Sequence, residues 1–135
     1  MSQATHIGLP GGRIPVLRVP ATPAHTSAGG DIFGGWIMSQ IDIAGSVPAV
    51  LRSKGRVVTV TVKTLNFLSP VYVGDLLSLY ADVKCIGRTS IAVDVEVFAQ
   101  RNPAAPTCVR VSEAQLVYVA VDDHGRPRPV PEEGN

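Results

Sequence analysis

The sequence predicts an α+β fold in which a curved antiparallel sheet wraps around one long central helix. Three observations lead there. Residues 33–53 are apolar at helical spacing, the period switches to two after Gly55, and four long β-branched runs follow, joined by short turn-rich connectors. In the helix, Trp36, Ile37, Met38, Ile41, Ile43, Ala44, Val47, Val50 and Leu51 leave little polar face, so it is expected to be buried nearly all round. Pro48 removes one backbone hydrogen bond, at about 3 kcal/mol in a helix interior. A bend near Val47, or a second short helix, is expected there.

The strands follow in order. Residues 13–20, RIPVLRVP, read as a short strand with Pro at its ends, which suits an edge. Residues 21–32 are a loop of Thr, Pro, Ser and Gly. Residues 56–67, RVVTVTVKTLNF, are a nearly continuous β-branched run. In 76–86, Leu77, Leu79, Ala81, Val83 and Cys85 alternate with Ser78, Tyr80, Asp82 and Lys84; 90–100 alternates in the same way. The last strand, 109–121, shifts its alternation near Ser112–Glu113, which predicts a bulge. The connectors 69–75, 86–90 and 102–107 are each short enough to join neighbours, so these four strands are expected in a meander. A helix apolar on nearly every side must be wrapped by a curved sheet. Pairing two chains edge to edge would remove one exposed edge from each. This architecture is the hot-dog fold. The expected organisation is a flexible N-terminus over 1–12, one domain over 13–130 and a polar, Pro-rich tail over 131–135.

Composition narrows the function. The chain of 135 residues fits one domain, and 45% apolar against 17% charged residues suggests surface buried in an oligomer. The net charge of +1, without a basic run, argues against nucleic-acid binding and leaves room for one basic pocket holding a phosphorylated small molecule. Cys85 and Cys108 lack CxxC spacing and a local ligand cluster. They are expected as buried reduced thiols, and no metal site is expected. No segment looks like a signal peptide or reaches the ~18 apolar residues of a membrane span, so a cytoplasmic protein with no membrane partner is expected.

The stretch GDIFGGWIMSQIDIAG (30–45) resembles the YciA-like acyl-CoA thioesterases, hot-dog proteins with the motif N-x-x-G-x-x-F-G-G-x-x-M-x-x-x-D. The matching positions are Gly30, Phe33, Gly34, Gly35, Met38 and Asp42. GRVVTV (55–60), the pattern NF..P..VGD (66–75), GRTS (87–90) and VAVDDHGRPR (119–128) are similar to the same family. The resemblance covers about residues 14–130. It implies hydrolysis of acyl-CoA to a fatty acid and CoA, with Asp42 as the catalytic carboxylate, general base or nucleophile. It also implies an asparagine that places the thioester or water, where this chain has Ser27, a shorter side chain with a hydroxyl in place of an amide. Assembly as a trimer of dimers is a further implication of the family.

Thioester hydrolysis needs a group that activates water or attacks the carbonyl, and a donor for the oxyanion that forms. No GxSxG signature is present, and His6, His25 and His124 lie in loops or near the termini, with His25 read as an exposed loop residue. Unpaired N–H groups at the helix start suit an oxyanion, and glycines at 34 and 35 let a carbonyl approach the backbone; Gly34 is the favoured donor. At about 1.5 Å per residue, Gly34 and Asp42 are about 12 Å apart on one helix. If both act on one carbonyl, Asp42 comes from a partner chain, and a two-fold dimer then has two shared sites. For the CoA phosphates, Arg88 with Thr89 and Ser90 is the leading candidate, followed by Arg56, Arg126 and Arg128. Gly35, Trp36 and Phe67 are the expected acyl-pocket residues. No separate cofactor is expected, CoA being part of the substrate. Two other readings stay open at this point: a hot-dog hydratase or dehydratase, which would need a His beside a carboxylate, and a non-catalytic acyl-CoA-binding protein.

Overall fold

The computed structural model describes residues 8–133. His6 and most of the N-terminal segment expected to be flexible, together with the last two residues of the tail, lie outside the described residues. The elements are β1 (Leu17–Pro20), α1 (Gly34–Ser53), β2 (Val57–Phe67), β3 (Leu76–Ile86), β4 (Ser90–Arg101) and β5 (Thr107–Ala120), with a 3₁₀ turn at Pro23–His25. The five strands form one sheet in the order β1-β3-β4-β5-β2, antiparallel throughout.

That order corrects the expected four-strand meander. Only β3, β4 and β5 run as neighbours in sequence order; β2 lies on the far side of β5. The connector 68–75 is not a hairpin. Leu68 and Ser69 still donate to Val111 O, and Val71 is buried and accepts from Ile32 N. Its length permits a tight turn but does not require one. Placing β2 beside β5 leaves the other edge of β3 free for β1. β1 is also shorter than expected. Arg13 turns away to pair with Asp82 and Glu96, and regular pairing begins at Leu17. The bulge in β5 falls at Val111, one residue from its expected place, where β4 pairing jumps from Ser112 to Arg110.

One face of α1 lies on the sheet. Ile37, Ile41, Ala44 and Ala49 pack in one core with Leu77, Leu79, Ile91, Val93, Leu116 and Tyr118. The opposite face corrects the expectation of burial all round: Met38, Ile43, Val47, Val50 and Leu51 are exposed, Leu51 at 73%. A five-stranded sheet covers one side of a helix only. The expected break at Pro48 does not occur either, and Gly34–Ser53 is a single helix. Ala44 and Ala49 on either side of the proline are both fully buried, so packing holds the helix through the missing bond.

The helix ends at Lys54 in the left-handed conformation (φ 57°), with its N–H bonded to Val50 O. Arg128 closes this end. Its Nη1 donates to Ser53 O (3.0 Å) and its Nε to Val121 O (2.9 Å). Among the described residues, no helix is long and apolar enough to cross a membrane.

Candidate active site

The helix start is held from both sides. Residues 27–30 make a tight turn in which Gly30 N–H donates to Ser27 O (3.1 Å), with Gly30 at φ 93°, a conformation that favours glycine. Ser27 N–H donates to Asp31 O (2.7 Å). The Ser27 hydroxyl donates to Asp31 Oδ1 (2.8 Å) and accepts from Gly29 N–H (3.3 Å). Ser27 therefore spends its side chain inside its own turn. Phe33 N–H then donates to His25 O (2.9 Å) and Ile32 N–H to Val71 O (2.8 Å). Beneath them, buried Asp75 pairs with Arg101 (2.8 Å) and accepts from Tyr72 N–H (3.0 Å), which fixes the loop under the glycine turn.

Phe33 occupies the N-cap without a side-chain cap, and the amides of Gly34 and Gly35 have no acceptor among the described residues. They are orphan donors at the positive end of the helix dipole. An open pocket of about 360 Å³ adjoins Gly34 and is lined by Ile32, Ile37, Phe67, Pro70 and Val71 as well. The Phe67 ring lies against Gly34, where a β-carbon would come within 3.1 Å of it. Phe67 and Gly34 are thus brought together. Trp36 and exposed Gly35 are not part of this pocket. Trp36 stacks on His25 at 4.8 Å between ring centroids, so His25 is half-buried and not the free loop residue expected.

Two turns along the helix, Asp42 is half-buried and held by the sheet. Thr59 Oγ1, from β2, donates to its Oδ1 (2.7 Å). Tyr118 Oη, from β5, donates to the Asp42 carbonyl oxygen (2.7 Å) and lies 3.2 Å from Oδ1. Oδ2 has no partner among the described residues. Burial, then the charge of Asp42 and the hydrogen bond to it, push the Tyr118 phenol far above its usual range, so it stays protonated, and its one proton is shared between these two Asp42 oxygens. Sequence reasoning missed both Thr59 and Tyr118. Tyr118 is 76 positions from Asp42, and its alternating strand marks it only as a core residue.

The candidate CoA cations gather at the opposite end of the helix. The β3–β4 turn with Arg88 and Thr89 is bonded through its backbone to the C-terminal segment: Val130 N–H donates to Arg88 O and Ala120 N–H to Thr89 O, both at 2.9 Å. Arg56 O accepts from Val121 N–H (3.0 Å), and Arg126 follows in the same segment. Ser90 begins β4, with its hydroxyl where a β-carbon at Gly87 would stand. Arg88, Arg56 and Arg126 are exposed. Arg128 is not available to a ligand in the same way, since its guanidinium clasps the helix end. The cysteines also depart from expectation: Cys85 is exposed and Cys108 half-buried, with burial raising the Cys108 thiol.

A sheet wrapped on one long helix, with a glycine-led amide start and a carboxylate inside that helix, defines a hot-dog protein. Residues 29–105 match the thioesterase superfamily. The chain is 49% identical over 121 residues to the acyl-CoA thioester hydrolase YciA of Salmonella typhimurium, spanning 88% of this chain and 91% of that protein. Among solved structures it is similar to a hexameric hotdog-fold thioesterase of Campylobacter jejuni, at 43% identity and a TM-score of 0.85 over 89% of this chain and 92% of that one. It is also similar to a hexameric thioesterase from Yersinia pestis, at 47% identity and a TM-score of 0.83 over 92% and 99%. The chain belongs to the thioesterase superfamily and, within it, to the YciA-like acyl-CoA thioester hydrolases.

Proposed function

We propose that this protein hydrolyses acyl-CoA to a free carboxylic acid and CoA at sites shared between two copies of the chain. Water adds its oxygen to the carbonyl carbon, the C–S bond breaks, and the CoA sulfur leaves with a proton. Asp42 is the general base or nucleophile, and the Gly34 amide of the other copy polarises the carbonyl. The observation that carries this reading is the Asp42 carboxylate itself. One oxygen is held by hydroxyls from two strands and the other has no partner among the described residues, while the helix-start donor at Gly34 on the same chain is about 12 Å away. The exposed apolar face of α1 and the unpaired edge of β2 support a two-chain site. Three such pairs would match the hexamers of the similar thioesterases. Among the described residues of one chain, no histidine side chain is bonded to Asp42.

Release of free thiol from a panel of acyl-CoA esters of increasing length is the test. Hydrolysis of at least one length is expected, and none at any length would overturn the proposal. In the same assay, Arg88→Glu should raise KM by about tenfold with kcat within about twofold of the parent, because a phosphate contact distant from the carbonyl contributes to binding and not to the chemical step. An unchanged KM removes Arg88 from the CoA site.

A further inference from the structure

We propose that Tyr118 is a positioning residue that sets the orientation of the Asp42 carboxylate, with Gly45 as the notch that admits it. The inference rests on Asp42 being the catalytic carboxylate and adds how that carboxylate is held. Tyr118 is 1% exposed, so its single polar atom must find a partner inside the core. Both contacts of that atom are to Asp42, one to the backbone and one to the side chain.

The helix is built to receive the phenol. Gly45 lies one turn beyond Asp42, and a β-carbon there would overlap the phenol oxygen and press on the ring. Glycine in a helix interior is less favourable than alanine by about 1 kcal/mol, so the notch is kept against local propensity. The shorter bond ties the helix backbone at Asp42 to β5. The second contact, together with the Thr59 hydroxyl from β2, engages Oδ1 from two strands. These contacts hold the carboxylate by Oδ1 and leave Oδ2 without a partner among the described residues. Among the described residues, no cation or second carboxylate is bonded to Asp42 from α1, β2 or β5, so these two hydroxyls are its polar surroundings in this chain.

Tyr118→Phe keeps the ring and deletes the hydroxyl. Three readouts are taken: kcat, KM and the acidic limb of kcat/KM against pH. Loss of a donor to the carboxylate disfavours its charged form, so the acidic limb should move to higher pH. kcat should fall by about tenfold to a hundredfold with KM changed by less than about threefold. A lowered melting temperature with kcat and the acidic limb unmoved would show a core tyrosine only, and would overturn the proposal. Gly45→Ala, which retains the hydroxyl but displaces it, is the second variant. It should shift the limb in the same direction, and a parent-like profile in the folded variant would also overturn the proposal. The Asp42 reading fails separately. If Asp42→Asn retains turnover, that reading falls; if Asp42→Asn is inactive while Tyr118→Phe behaves as the parent, only the positioning role falls.

Discussion

Asp42→Asn is expected to lower kcat by about 10²- to 10⁴-fold, the usual contribution of a positioned acid–base group, and to leave the fold in place. The fold should survive because asparagine matches the shape of aspartate. Its side-chain oxygen can still accept from Thr59, and the short Tyr118 bond goes to the Asp42 backbone carbonyl, which the substitution does not touch. What is lost is the negative charge that accepts a proton or attacks carbon. Initial rates of thiol release, measured beside a thermal melt, separate these effects. Turnover near the parent value in a folded variant would end the assignment.

The second large effect tests whether the site is shared. Gly34→Pro removes one N–H at the first position of a helix, where the fixed φ and missing donor of proline are well accommodated. The β-carbon it adds would press on the Phe67 ring, which is about half exposed and has room to shift. Losing one oxyanion donor should lower kcat by about 10²- to 10³-fold. Each variant alone is then nearly inactive. If Asp42→Asn and Gly34→Pro chains are unfolded and refolded together, a mixed pair concentrates both lesions in one site and leaves the other with intact Asp42 and intact Gly34. Random assortment makes half the pairs mixed, with one of two sites restored, so activity should recover to about a quarter of the parent. No recovery, with mixed pairs demonstrated by cross-linking and mass, would place each site within one chain.

Much of this arrangement was legible in the order of residues. The helix over 33–53, the four long strands and the bulge near Ser112 follow from periodicity, which depends only on neighbours along the chain. The glycine-led start and the aspartate eight positions on follow from spacing within one helix, where rise per residue converts number into distance. The misjudged features depend on distant parts of the chain. Periodicity shows that Met38, Ile43, Val47 and Leu51 are apolar, but not how many sides of the helix five strands can cover. Connector length permits β2 to pair with β3, but the buried Val71 segment crosses beneath the glycine loop instead. Arg128 and Arg88 look alike as turn arginines, and only folding sets one against the helix end and leaves the other exposed.

The sequence by itself determined the elements, their order along the chain and the presence of a glycine-led helix start and a carboxylate on one helix, because these are local consequences of period, propensity and spacing. Only the tertiary structure decided the strand order, the spending of Ser27 on its own turn, and the two hydroxyls that grip Asp42. Tyr118 meets Asp42 across 76 positions of chain because the helix packs on β5 at the one place where a glycine leaves room for a phenol. No residue reveals such a contact by its own position, since its energy exists only once both surfaces are assembled.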